Sequence, residues 1–518
     1  MLNVTLSKLN WLIKPNIGLL IFYVLAFLAI YVVANDSFKI QFMLLNLILL
    51  HYLIYEFFNL SKNVTRLIFL QPYVLVIGLF FLLSNLLPNL RFFFVDPVEI
   101  LPARMIFWND DSYKPLIKPM YLLNLSAFAM FLGYRNQTIK SLGCYFRNIL
   151  SKVSSYDPKN LFQLSNYLVF FIIVIGIISV FLQLRWGIFG YGISDAKHAE
   201  YASYAQWFRY IDQSQLLLVV ILAYLIHHPK GGYDHLKTPL LLLIIFLGAQ
   251  GFLFASKGKV LFPIFAALIG GYASSSKIFM KYLSLSIIML VIAFIVIEPY
   301  RILKNVYPDA SFAESLTLLQ EVPEIVAEES IEEDITFSER LGEITIWFMG
   351  RVDYFSFSAN AIEFKDRYGI PDNNNPDFLG SIIYSPALAY IPRFIWQSKP
   401  RDQIGLWYES SIMQSPNYTA TAFGPTAYPY YAGGVLGVFL VFFFFGLMQR
   451  LIYETFLEMH SLPGIIAYIA LILPVTMIQS EIGGIITGFL RLIPVIIVAV
   501  FLLFFDYKKF FQALTKNS

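Results

Sequence analysis

Residues 391–408 read IPRFIWQSKPRDQIGLWY, and residues 421–438 read TAFGPTAYPYYAGGVLGV. The first crowds proline, aromatic and charged side chains together, and the second proline, glycine and aromatic ones. The first lies within, and the second closes, a polar segment from Pro299 to Tyr431, whereas nearly everything before Glu298 and after Gly433 is apolar at membrane-spanning length. That contrast sets the fold class. Of the 518 residues, 58% are hydrophobic and only 14% charged, against about 25% charged in a soluble chain. The composition is that of an all-α polytopic membrane protein. A net charge of +3 gives no reason to expect a nucleic-acid partner, and the single Cys144 excludes an internal disulfide and a cysteine metal cluster.

Working outward from the polar segment, apolar runs of roughly 17–25 residues predict about twelve transmembrane helices. They lie near 16–35, 40–58, 67–88, 119–134, 165–184, 214–228, 239–255, 260–274, 282–299, 432–449, 463–480 and 484–506. The run at 260–274 is short and that at 119–134 marginal; either fits a tilted or partly re-entrant helix. The first run has no small-residue cleavage pattern after it and reads as a retained helix. An even number of spans puts both termini on one side. That side collects Lys8, Lys14, Lys62, Arg66, the series Arg135, Lys140, Arg147, Lys152 and Lys159, and Lys508, Lys509 and Lys516. Cations in short loops mark the cytoplasmic face, so both termini are expected in the cytoplasm and the polar segment outside. The chain divides into nine helices over 1–299, a large outer loop over 300–431, and three helices with a tail over 432–518.

The outer segment has three parts. Glu314 to Glu343 carries ten acids and one cation, Arg340, and reads as a solvated loop or as a lid. Over 339–365, Leu341, Ile344, Phe348, Val352, Phe355 and Ala359 fall on one helical stripe, with Arg351 on its flank. Such a helix lies at the membrane surface with its stripe against the bundle. Arg351 then either forms an ordinary Arg–Glu pair or faces a site. From 376 to 434 the prolines recur too often for a long helix. Arg393, Lys399, Arg401 and Asp402 interleave there with Phe394, Trp396, Trp407 and Tyr408. Planar guanidinium groups bind phosphate oxygens in pairs, and aromatic faces match the apolar faces of sugars. The combination suits a ligand with both, or an interfacial loop anchored by aromatic and basic residues.

PRFIWQSKP from Pro392, followed by AFGPTAYPYYAGGVLG into a helix, resembles bacterial oligosaccharide repeat-unit polymerases, the Wzy-type O-antigen and exopolysaccharide polymerases. Ser256-Lys257-Gly258-Lys259 at a helix start resembles a second pattern of that group, and the layout of about twelve spans with one late outer loop is similar. The resemblance implies a GT-C-like, metal-independent membrane glycosyltransferase of the bacterial inner membrane. Its substrate would be an undecaprenyl-diphosphate-linked oligosaccharide; its partners would be membrane lipids and, by the same token, a chain-length regulator and a flippase. No cofactor is implied. Arg351, Arg393, Lys399 and Arg401 would stabilise the departing diphosphate, with Asp353 or Asp402 as base.

Further candidates for substrate contact are Lys257, Lys259 and Arg301 at helix ends, and Arg185 at the head of a tyrosine-rich loop. Trp396 and Tyr408 would stack on sugar. Lys257 and Lys259 equally suit snorkelling to headgroups. Arg491, about seven residues inside the last span, belongs either to a pair with another helix or to a lipid-phosphate cavity. Glu56, late in the second span, is a similar but weaker case that would sit at the inner surface. Gly251 to Lys259 fails the spacing of a phosphate-binding loop, and of six histidines only His198 falls outside, so neither nucleotide-driven transport nor a metal site is expected. A ligase with the same fold and another acceptor, and a flippase or transporter, remain as alternatives; a transporter predicts charges spread through the helices.

Overall fold

The computed structural model describes residues 25–26, 30, 37–62, 67–101, 112–153, 158–186, 202–228, 233–254, 257–275, 283–284, 288, 353–370, 376–391, 395–396, 404–414, 423–459, 461–476 and 482–504. Among these residues every regular element is helical. Five helices are long and apolar enough to cross a membrane: Phe38–Ser61, Pro72–Phe93, Lys114–Tyr134, Asp234–Phe252 and Ala427–Met459. Shorter apolar helices cover Phe170–Arg185, Ser214–Ile226, Lys259–Ser274, Leu462–Ile472 and Ile485–Pro494. The expected spans at 16–35 and 282–299 lie almost wholly outside the described residues.

We label the helices α1 (Phe38–Ser61), α2 (Pro72–Phe93), α3 (Lys114–Tyr134), α4 (Gln137–Val153), α5 (Pro158–Arg185), α6 (Ala202–Ile226), α7 (Lys237–Leu253), α8 (Lys257–Ser274), α9 (Tyr354–Tyr368), α10 (Phe378–Ile383), α11 (Ser385–Tyr390), α12 (Ile404–Trp407), α13 (Ala427–Phe456), α14 (Leu462–Thr476) and α15 (Ile482–Phe504). The marginal run at 119–134 is a full helix from Lys114. Lys114 and Lys118 depress its hydropathy but sit in its first turns.

Exposed apolar side chains run along the outside of these helices, such as Ile40, Leu47 and Ile54 on α1 and Val435, Leu436 and Leu440 on α13. In water such stripes favour aggregation; in a bilayer they face acyl chains. Lipid is as apolar as leucine, so the helices associate through close packing and buried hydrogen bonds. Both are present. α3 and α13 run parallel, from Lys118 beside Tyr430 at one end to Tyr134 beside Tyr453 at the other. Glycine permits their close approach: a Cβ on Gly446 would lie 1.9 Å from the Met130 carbonyl oxygen, and one on Gly133 would lie 2.1 Å from that of Phe443. Polar side chains stitch α1, α2 and α3. Asn89 Nδ2 donates to Asn46 Oδ1 at 3.0 Å, and Asn124 Nδ2 donates to the Met120 carbonyl at 2.9 Å and the Leu45 carbonyl at 3.4 Å. A π-helical stretch, Val76–Leu86, lies in α2, where Ser84 and Asn85 donate to the carbonyls of Leu79 and Phe80, both at 2.7 Å. α5, α6, α7 and α8 build a second core around Leu218, Leu222 and Leu243.

Charges sit at both ends of the α3–α13 pair. From Lys118 to Tyr134 is about 24 Å at 1.5 Å per residue, close to a hydrocarbon core. At the Tyr134 end, Arg135 pairs with the buried Glu56 at 2.7 Å, and Arg450 pairs with Glu454 at 2.5 Å. Glu56 thus sits at the charged end of α1, as expected of a residue near a membrane surface.

The polar segment differs from expectation in two ways. The helix expected over 339–365 does not run through residue 353: Asp353 has ψ 88° and its Oδ1 accepts the Ser356 N–H at 2.8 Å, so α9 starts at Tyr354. The predicted stripe holds from there, with Phe355 and Ala359 buried, and Ile362 extends it. The stretch 376–434, read as too rich in proline for a long helix, contains the short helices α10, α11 and α12, each no longer than six residues, and the first turns of α13. Proline begins such pieces as readily as it ends them, as Pro386 does in the first turn of α11.

α13 breaks near its start. Gly433 has φ −158° and Gly434 has φ 63°, ψ −148°, the latter a region open essentially to glycine. The break sits at the expected join between outer segment and span. Nothing lies within 4 Å of a Cβ at either position, so backbone strain alone separates them. Gly434→Ala should cost about 1–3 kcal/mol and Gly433→Ala close to nothing, compared as thermal inactivation of the purified protein.

Candidate functional site

Three of the places where the described part of the polar segment is fastened to the spans position its chemistry. The first is a buried ion pair. Arg91, near the end of α2, donates to Asp353, and its Nη2 reaches Ser356 Oγ at 3.4 Å. The guanidinium lies 4.7 Å from the centre of the Phe92 ring. Burial pushes the Asp353 carboxyl above its ordinary range, while Arg91 and the donors at the α9 N-terminus act against that shift.

The second is an aromatic block. Phe378 of α10 meets Trp407 at 5.4 Å, Phe423 at 5.6 Å, Tyr428 at 5.4 Å and Tyr431 at 5.0 Å between ring centres. Edge-to-face and offset contacts at these separations are favourable, and they hold α10 and α12 against the first turns of α13. Gly424, at φ 88°, lets the chain turn into α13; a Cβ there would lie 1.9 Å from Ser358 Oγ.

The third fastening carries most of the exposed chemistry. Lys118 of α3, Lys365 and Asp366 of α9, and Tyr430 of α13 converge. Lys118 Nζ lies 2.5 Å from Asp366 Oδ2 and 2.5 Å from Tyr430 Oη, and Tyr430 Oη donates to Asp366 Oδ1 at 2.6 Å. Lys365 Nζ donates to the Tyr430 carbonyl at 2.7 Å. Both ammonium groups lie over the Tyr430 ring, at 4.7 and 4.6 Å. Lys118 pairs with the Asp366 carboxylate, whereas Lys365 Nζ is held by the carbonyls of Tyr430 and Tyr431 and feels that carboxylate through its charge. Burial pushes Lys365 below the ordinary lysine range; Asp366 acts against this and the Lys118 charge adds to it. The Lys118 side chain is 46% exposed and that of Asp366 31%, so a ligand in water can reach the group. Lysine, carboxylate and phenol together can hold an anion and accept or deliver a proton.

Several candidates read from the sequence occupy other surroundings. Asp353 faces Arg91 and caps α9 rather than opening to solvent, which removes it as a base for an external ligand. Tyr408 is fully buried, its hydroxyl accepting from Asn360 Nδ2 at 3.0 Å and donating to the Phe357 carbonyl at 3.3 Å; it packs the core instead of stacking on sugar. Arg491 Nη2 donates to the Leu388 carbonyl at 3.0 Å, tying α15 to α11, and Tyr390 Oη donates to the Leu490 carbonyl at 2.7 Å. Lys259 Nζ lies 3.5 Å from Asp212 Oδ2 and 3.5 Å from the Phe254 ring centre, and Gln250 donates to the same carboxylate at 3.3 Å. Arg185 is exposed in the last turn of α5, Trp396 is half-buried, and Lys257 opens α8. Arg301, Arg351, Arg393, Lys399, Arg401 and Asp402 lie outside the described residues.

Sequence reading missed Arg91, Lys118, Lys365, Asp366 and Tyr430. A signal existed for two of them. Lys365 and Asp366 follow the buried stripe of α9 by one turn, where a surface helix leaves the membrane for water.

Among the described residues the fold is all-helical with five helices of membrane-crossing length, which makes the chain one of the class of integral membrane proteins. No family model, curated protein or solved structure matches the chain.

Proposed function

We propose that the protein is a polymerase of lipid-linked oligosaccharide repeat units. It works at the outer face of the bacterial inner membrane, within a GT-C-like bundle of about twelve spans with cytoplasmic termini. The observation that carries this reading is the Lys118–Lys365–Asp366–Tyr430 group, with two ammonium groups and one carboxylate at the end of membrane-length helices.

The reaction transfers the growing glycan from undecaprenyl diphosphate to a hydroxyl of the next lipid-linked unit. The anomeric carbon–oxygen bond to the diphosphate breaks, and its electron pair stays on the phosphate oxygen. A bond from the acceptor oxygen to the same carbon forms, and the hydroxyl proton passes to a base. The donor carries its own activation, so no nucleotide enters. Lys118 and Lys365 meet the charge that grows on the leaving diphosphate, a task that fixed cations perform without reorganising. Asp366, with Tyr430 hydrogen-bonded to it, is the base. Arg393, Lys399 and Arg401 belong to the same polar segment and add charge for a ligand with two phosphates. Asp353 keeps this machinery in place through Arg91.

The test is a gel of surface and lipid-linked glycans from cells lacking the protein. The expected result is single repeat units on the final acceptor and no ladder. A full ladder retained on the lipid carrier identifies a ligase instead, and single units confined to the cytoplasmic leaflet identify a flippase.

A further inference from the structure

We infer that α4 is an anionic-lipid-binding helix lying flat on the bilayer surface, its exposed apolar face sunk among the acyl chains of one leaflet. The inference is independent of the enzymatic reading.

The sequence of α4, QTIKSLGCYFRNILSKV, contains three cations and no acid. At 3.6 residues per turn, Ile139, Leu142, Tyr145, Phe146, Ile149 and Leu150 fall on one side. Lys140, Ser141, Asn148, Ser151 and Lys152 fall on the other. By this spacing Lys152 lies at one edge of the apolar arc, while Lys140 and Arg147 lie beyond the other edge. Cations flanking an apolar face are the pattern of a helix at the headgroup boundary.

The structure divides the apolar arc in two. One margin packs on the protein: a Cβ on Gly143 would lie 2.6 Å from that of Glu454, and Arg147 reaches Glu454 and Glu458 at 3.8 and 3.9 Å. The other margin is uncovered, with Leu142 39%, Tyr145 59%, Phe146 41% and Ile149 42% exposed. Lys140, past the packed edge, is exposed as well.

The membrane is the occupant because of where the helix begins and ends. α3, a membrane-length helix, stops at Tyr134, three residues before α4, and α5, whose apolar part is Phe170–Arg185, starts five residues after it. Both ends of α4 are thus held near one surface, and about 25 Å of helix lies between them. A soluble partner would have to cover an apolar strip already beside lipid. Anionic headgroups further match the charge of a segment that has Arg135, Lys140, Arg147 and Lys152 and no acid before Asp157. Each such cation near a charged leaflet strengthens binding about fivefold.

The experiment uses the full-length protein in nanodiscs. Cys144→Ser removes the native thiol, and single cysteines at Leu142, Phe146 and Ile149, or at Ser141 and Asn148, carry nitroxide labels. In discs of phosphatidylcholine mixed with phosphatidylglycerol, the first three are expected to collide with oxygen and the last two with a water-soluble nickel chelate. Native mass spectrometry of the unlabelled protein should show phosphatidylglycerol retained over phosphatidylcholine. In Lys140→Gln/Lys152→Gln that preference should fall by an order of magnitude or more. Leu142, Phe146 and Ile149 labels that meet the nickel chelate in both lipids overturn the inference. Labels in the acyl region with equal retention of both lipids overturn its anionic part and leave a plain hydrophobic anchor.

Discussion

Asp353→Ala is expected to destabilise the protein by about 3–5 kcal/mol, because it leaves the Arg91 guanidinium buried without its counter-charge. Arg91 and Asp353 side chains are 5% and 2% exposed, and water cannot replace the lost partner. The same substitution deletes the cap of α9, worth about 1 kcal/mol by itself. Large membrane proteins often inactivate irreversibly, so the readout is the half-life of the folded protein at fixed temperature. It should shorten by two orders of magnitude or more. Arg91→Leu/Asp353→Leu should recover much of the loss, since an apolar pair of similar volume can match a buried ion pair. A single Asp353→Ala variant as durable as the parent would mean that α9 is held by its apolar stripe alone.

Lys365→Met should abolish the long-chain ladder while leaving the protein inserted. Removing one fixed cation from a developing anionic charge costs about 10²–10³ in rate, and methionine keeps the packing of the lysine stem against Tyr430 and Tyr431. The pH dependence gives an independent signature. The Lys365 ammonium titrates below the ordinary lysine range, first because it is buried and also because Lys118 is near. Its charge, and with it the rate, should fall on the alkaline side before a free lysine would lose its proton. Lys365→Arg should move that limb upward. Stability runs the other way. Between the folded and unfolded values the unfolded chain holds the extra proton, so stability rises with pH across that window. A rate unchanged in Lys365→Met removes the lysine from the reaction.

The helical architecture was legible because lipid imposes one simple demand, long apolar runs. The boundary near Gly433 and the buried face of α9 through Phe355 and Ala359 followed from the same patterning. Neighbours were not legible. Arg91 ends an apolar run and reads as a loop cation, and nothing in its local sequence points to Asp353. Lys118 fell outside the expected span because its charge lowers the local hydropathy. Asp366 and Lys365 look like an ordinary solvated helix end until α3 and α13 are placed beside them. Conversely, Tyr408 has the composition of a sugar platform, but its register within the aromatic block turns it inward. Periodicity tells which side of a helix is covered; it does not tell by what.

The parallel packing of α3 and α13 has a consequence for how the protein is made. Arg91 and Asp353 are 262 residues apart, and the glycine face of α3 meets its mate only when α13 emerges later still. At roughly 5–20 residues per second, tens of seconds of translation separate these partners. During that interval the ribosome-bound chain holds an unmatched guanidinium and an open helix face in the bilayer. Sheltering of the early helices by the insertion machinery would therefore favour assembly. A polypeptide released prematurely carries, in those same features, the marks by which membrane quality control would recognise it as an orphan.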